Sequence, residues 1–130
     1  MKKIFKNQIA LALAGILAGT SAVAGTLVIN GDTSDPAPKA AFQAVIDGFE
    51  AENPDVDVVY NLFDHEGYKA AIRNFLSADA PDIAFWYAGN RMAPFVEAGL
   101  FAPIDDVWAD QGLYSLMASS APGMTMDGQK

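Results

Sequence analysis

Two flat aromatic rings, an amide and a guanidinium fall within six consecutive positions, Trp86-Tyr87-Ala88-Gly89-Asn90-Arg91, directly after the apolar stretch Asp82-Ile83-Ala84-Phe85. Packing accounts for Ile83 and Phe85 but not for the group that follows them. Two other short stretches share its character: Asn30-Gly31-Asp32-Thr33-Ser34 and Phe63-Asp64-His65-Glu66. Together they offer short carboxylates (Asp32, Asp64), an imidazole (His65), an amide (Asn90), a guanidinium (Arg91) and two rings (Trp86, Tyr87), without a glycine-rich phosphate loop. A carboxylate or amide can bridge neighbouring hydroxyls, a guanidinium donates paired hydrogen bonds, and an indole covers the apolar face of a pyranose. This chemistry suits a neutral polyol.

Each residue also has a plainer use. Asp32 can close a turn onto its own backbone, Asp64 can cap a helix, and His65 can be a surface or cap residue. Trp86 can be core, because alternation along a strand sends Trp86 and Tyr87 to opposite faces. Arg91 can be a solvated residue at a helix start, although the positive end of the helix dipole disfavours it there.

The elements around these stretches bring them together. Thr26–Asn30 reads as a strand closed by turn residues. Asp35-Pro36 suits the start of a helix in which Phe42, Val45, Ile46 and Phe49 share a face, and Asn53-Pro54 stops it. Asp55–Phe63 alternates with Val56, Val58, Tyr60 and Leu62 on one side. A second helix begins at Asp64, with Tyr68, Ile72, Phe75 and Leu76 on one face. A third strand is expected over Asp82–Tyr87, then a helix carrying Met92, Phe95, Val96 and Leu100 with Pro94 in its first turn. Residues Ala102–Tyr114 read as a loop with a short helical piece.

The expected fold class is therefore α/β, a βαβαβα succession with right-handed crossovers and a mainly parallel sheet covered on both faces. In such sheets ligands sit beyond the carboxyl ends of the strands. The three polar stretches are those strand exits, so they should line one shared cleft.

Residues 1–24 follow another plan. Lys2, Lys3 and Lys6 precede an apolar run from Ile9 to Gly19 and the small residues Ala22-Val23-Ala24, the pattern of a cleaved signal peptide with processing after Ala24. The run is shorter than the ~20 apolar residues that span a bilayer. Its removal takes three of the eight basic residues and no acid, leaving five against sixteen, a formal charge of −11. A surface this acidic repels nucleic acid and anionic lipid. Without any cysteine, disulfide and thiolate-metal chemistry are excluded, as is a lipidated cysteine anchor.

The stretches LVINGD (27–32), FDHEGYKAAIRNFL (63–76), APDIAFWYAGNRM (80–92) and EAGLFAPIDD (97–106) resemble, in order, the extracellular solute-binding proteins of bacterial ABC importers. The likeness is to the carbohydrate-binding branch, which includes maltose-binding protein. It implies an α/β lobe, residues 25–130, that is the N-terminal part of a longer two-lobed clamp, monomeric when full length. It implies that Asp32, Asn90 and Arg91 contact sugar hydroxyls and that Trp86 stacks on the ring; Asp64, His65 and Tyr87, by their place at the strand exits, are the further ligand-binding candidates. The turn WYAGNR carries one residue more than the maltose-binding pattern. The implied partners are a sugar and a membrane permease, with no cofactor and no enzymatic activity, in the periplasm.

Two other readings remain. His65, Glu66 and Tyr68 are residue types that bind ferric iron in related importers, though a hard metal requires several convergent oxygens. Asp32 and Asp64 could be the paired carboxylates of a secreted glycosidase, one raised in pKa by an apolar pocket. No nucleophile motif of the G-x-S-x-G kind is present.

Overall fold

The computed structural model describes residues 25–130, and the expected signal peptide lies outside them. Strand β1, Gly25–Gly31, is the centre of a three-stranded sheet of order β2-β1-β3. It pairs in parallel with β2, Val56–Leu62, over its whole length, from Gly25 opposite Val56 to Gly31 opposite Leu62. Its other neighbour, β3, is the two-residue strand Ile83–Ala84, also parallel. Helices α1, Pro36–Glu52, and α2, His65–Ala78, join the strands, and the short α3, Ala93–Glu97, follows β3. The α/β class and the parallel sheet are as the sequence pattern predicts.

Burial follows the periodicities. Along β2, Val56, Val58, Tyr60 and Leu62 are half-buried while the residues between them are exposed. On that face Phe42 of α1 meets Tyr60 and Phe85 edge-on, with ring centroids 4.9 and 5.1 Å away. The apolar stripe of α2 buries Tyr68, Ile72 and Leu76 with Phe95 of α3, and Ala84 and Trp86 pack against this cluster. Ala84, the last residue of β3, and Phe85, the one after it, thus serve opposite faces, Phe85 toward α1 and Ala84 toward α2. The α1 face is not fully covered beside β3, where Val45 is 64 % and Ile83 43 % exposed. A helix about 10 Å across covers about two strands spaced about 4.8 Å apart, so one helix leaves the third strand open.

Three expectations need correction. The third strand ends at Ala84 rather than Tyr87 because side chains replace its ladder at both ends. Asp82 Oδ2 accepts from the Val28 amide at 2.8 Å, and the Phe85 carbonyl accepts from the Tyr68 hydroxyl at 2.7 Å. The third helix stops at Glu97 because Gly99 adopts a left-handed conformation that lets the Leu100 amide turn back to the Phe95 carbonyl, 2.9 Å away. The segment expected as a loop with one short helical piece holds that piece as α4, Asp105–Asp110, with Trp108 buried, and then a second short helix, α5, Leu113–Leu116.

Tyr68 is 1 % exposed, and its Oη lies 2.7 Å from the Phe85 carbonyl and 3.0 Å from that of Asn30, sharing one proton between the ends of β3 and β1. Burial, reinforced by the charge of Asp32, pushes this phenol from 10.0 up to about 12. Tyr60 contrasts with it: its buried Oη has no hydrogen-bond partner among the described residues. It is packed so closely over Gly31 that a Cβ there would lie 2.9 Å from the hydroxyl, which explains the glycine.

The two tyrosines should therefore respond oppositely. Tyr68→Phe leaves the Phe85 carbonyl without its donor, the Asn30 carbonyl keeping the Phe85 amide at 3.0 Å, and lowers the unfolding free energy by about 1–2 kcal/mol, whereas Tyr60→Phe leaves it unchanged or raises it. Parallel urea titrations followed by circular dichroism check the pair. A second prediction concerns alkali. Folded Tyr68 keeps a proton that the unfolded chain releases, so its contribution is whole below pH 10 and is lost as pH rises through about 12. Unfolding curves across that window should show a shallower loss in Tyr68→Phe than in the wild type.

Candidate functional site

The register of the sheet decides which exits meet. Gly31 stands opposite Leu62, and the Phe63 amide donates to the Gly31 carbonyl at 3.0 Å, so the chains leaving β1 and β2 run side by side for one more residue. Asp32 and the start of α2 are thereby neighbours. His65 Nδ1 lies 2.6 Å from Asp32 Oδ2. From the third exit, Tyr87 Oη lies 3.0 Å from His65 Nε2. The Arg91 guanidinium sits over the Tyr87 ring, 4.5 Å from its centroid. A continuous string, Asp32, His65, Tyr87 and Arg91, thus links all three strand exits.

The string is only partly shielded. The His65 side chain is 49 % exposed and that of Asp32 21 %. Tyr87 and Arg91 are exposed at the same edge. These groups can present a carboxylate oxygen, a phenol oxygen and guanidinium N–H groups toward a molecule at this edge. Among the described residues Arg91 has no carboxylate within 4.0 Å, which leaves its donors available.

Trp86 is half-buried and joins core to site. Its Nε1 donates to the Arg91 carbonyl at 2.8 Å, closing the Trp86–Arg91 turn. Its ring meets Phe95 and Tyr87 edge-on, each with centroids 5.4 Å apart. Gly89, at φ 70°, makes the turn possible, and Asn90 is exposed within the short 3-10 segment Gly89–Arg91. The Trp86 N–H is thus already satisfied, and what the indole has left for a ligand is surface.

Asp64 is used otherwise. Its Oδ1 accepts from the Gly67 amide at 2.8 Å, so it is the N-cap of α2. A Cβ at Gly67 would fall 2.6 Å from Asp64 Oδ2, so cap and glycine fit one another. Asp64 is exposed, which is not the apolar pocket that a general acid needs. Glu66 pairs with Lys69 at 2.9 Å, and the hydrogen bond and charge of that lysine hold its carboxyl below the usual range. The Tyr68 hydroxyl is turned into the core. His65, Glu66 and Tyr68 therefore do not converge, which overturns the ferric-iron arrangement read from their types. Among the described residues no group of three His, Cys, Asp or Glu could hold a metal.

Sequence reasoning missed three features. It valued His65 little, yet His65 is the bridge. It read Tyr68 as core apolar surface or metal ligand, not as the hydrogen-bond donor that ties two strand ends. It gave no role of its own to Asn30, only 5 % exposed, whose Oδ1 accepts from Asn61 Nδ2 at 2.9 Å beside the site. One signal was present: parallel pairing of the first two strands puts the residue after β1 beside the residues after β2.

The model of the family described as bacterial extracellular solute-binding protein matches residues 33–121. Among solved structures, the bacterial solute receptor AcbH, described as having an exclusive substrate preference for β-D-galactopyranose, is 36 % identical with a TM-score of 0.61. The match covers 71 % of this chain and 23 % of that one, so the chain spans about a quarter of the receptor's length. No curated protein matches.

The cap assignment for Asp64 makes a prediction. Asp64→Ala should lower stability by about 1 kcal/mol, and Asp64→Ser should restore most of it, because a hydroxyl caps nearly as well as a carboxylate. Chemical denaturation of the two variants checks this, and a residue kept only to touch a ligand would show no such recovery.

Proposed function

The chain belongs to the bacterial extracellular solute-binding proteins, and from that premise we propose that it binds a neutral sugar and delivers it to the membrane permease of an ABC importer. The observation that carries the reading is the string of Asp32, His65, Tyr87 and Arg91 at the carboxyl edge of the parallel sheet, with the half-buried Trp86 beside it. The likeness to a galactopyranose receptor supports it. So does charge: an acidic protein with one guanidinium among several acceptors suits a polyol better than an anion.

In this reading Asp32 and Arg91 bond hydroxyls, Tyr87 and Asn90 add polar contacts, and Trp86 offers part of its ring to the apolar face of the sugar. His65 holds Asp32 and Tyr87 in place, and Asp64 acts through the helix it caps. The family is extracellular, and no helix among the described residues is long and apolar enough to cross a membrane. We take residues 1–24 to be a signal peptide cleaved after Ala24, delivering the protein to the periplasm. Residues 25–130 would then be the N-terminal lobe of a longer two-lobed receptor, monomeric and without catalytic activity. The exposed, helix-capping Asp64 speaks against a glycosidase, since it leaves Asp32 without a second carboxyl set in an apolar pocket.

Isothermal calorimetry of the full-length protein against a panel of neutral mono- and oligosaccharides is the test. One sugar should bind, and Asp32→Ala and Trp86→Ala should each weaken it about tenfold or more, the equivalent of about 1.4 kcal/mol or more. Circular dichroism confirms that the variants are folded. If a sugar binds and both variants hold it as tightly as wild type, the site lies elsewhere.

A further inference from the structure

The hydrogen-bond string has a direction, and the direction follows from proton counting. An ionised carboxylate only accepts, so the imidazole nitrogen facing Asp32 Oδ2 at 2.6 Å, Nδ1, carries a proton. A neutral imidazole has one N–H and one lone pair, which leaves Nε2 as an acceptor. Tyr87 Oη at 3.0 Å must then donate to it. A phenol has one proton. Once it points at His65, the Tyr87 oxygen has only acceptor capacity left for anything in the cleft.

We propose that His65 is a positioning residue that sets the hydrogen-bond polarity of Tyr87, holding its oxygen as an acceptor so that the cleft selects a ligand presenting a hydroxyl donor there. This rests on the sugar-binding reading and narrows it to sugars with an unsubstituted hydroxyl at one ring position. A proton added to His65 reverses the string. Both ring nitrogens then donate, Nε2–H points at Tyr87 Oη, and the phenol proton is released toward the ligand. The cleft would then accept a group that can only receive a hydrogen bond.

The surroundings allow the reversal without disassembly. Asp32 faces His65 from the exit of β1, and Tyr87 faces it from the exit of β3 with Arg91 stacked behind. Asp64 and Glu66 flank it on its own helix, Asp64 held by the Gly67 amide and Glu66 by Lys69. Asp32 accepts from Nδ1 in either state. Arg91 engages the face of the Tyr87 ring and not its oxygen, and the Tyr87 residue is 37 % exposed. Only the bond between His65 and Tyr87 has to change its donor.

Two measurements on the full-length protein test this. The first is the 15N spectrum of the imidazole, assigned by its loss in His65→Gln. At neutral pH it should show a protonated Nδ1 and a lone pair on Nε2, and Tyr87→Phe should move the Nε2 shift while leaving Nδ1 nearly in place. A protonated Nε2 at neutral pH would overturn the proposal. The second is calorimetry with D-galactose and its monodeoxy-monofluoro analogues, since fluorine cannot donate. At one ring position fluorine should cost about tenfold in affinity in the wild type and much less in Tyr87→Phe. That discrimination should shrink over the pH range in which the 15N shifts report the imidazolium, and His65→Gln should abolish its pH dependence. Discrimination that keeps its pH dependence in His65→Gln would also overturn the proposal. If wild type binds no sugar, the sugar reading falls, and the tautomer alone decides the role of His65, a protonated Nδ1 supporting it and a protonated Nε2 refuting it.

Discussion

The hydroxyl of Tyr68 closes the gap that the two-residue strand β3 leaves. Two ladder residues hold a strand weakly, and the chain beyond Ala84 carries Trp86, Tyr87, Asn90 and Arg91. A carbonyl left without a partner costs about 1–3 kcal/mol, so the Phe85 carbonyl needs the donor that α2 supplies, while the Asn30 carbonyl takes that donor in addition to the Phe85 amide at 3.0 Å. That donor is available only because Tyr68 lies in a layer of rings, Phe63, Phe75 and Trp86, that excludes water. The same residue is thus core and strand clamp.

Its position on the helix extends the effect to the site. His65 and Tyr68 are three residues apart in α2, about one turn, so they lie on the same side of the helix. One grips the backbone at the ends of β1 and β3, and the other grips the side chains just beyond them, Asp32 and Tyr87. The Asp64 cap and the adjoining Gly67 set where that helix begins, and so set the reach of both. Three exits that share no stretch of sequence are aligned by a single turn of helix.

Electrostatics at this edge is sparing. A strongly acidic chain places one imidazole and one guanidinium there, and the guanidinium rests on an aromatic face rather than on a carboxylate. Stacking holds Arg91 in position while leaving its N–H groups unpaired among the described residues, as suits donors meant for a polar partner. Asp32 is partnered through His65 and not through a lysine or arginine, which keeps it an acceptor without burying an ion pair.

The α/β class, the alternation along β2, the apolar stripe of α2 and the gathering of chemistry at three strand exits were all legible in the sequence, because periodicity and punctuation are local properties of the chain. The use of Asp64 as a cap could also be read there, since a cap depends on residues within one turn. The end of β3 could not, because it is imposed by Asp82 and Tyr68 reaching other strands, and no local pattern encodes a side chain that replaces a ladder bond. His65 as a bridge and Tyr68 as a clamp were equally hidden, since both roles depend on groups 17 to 38 residues away in the chain. Residue types decided what chemistry was on offer. The parallel register, which sets Gly31 against Leu62, decided which groups touch and therefore what that chemistry can recognise.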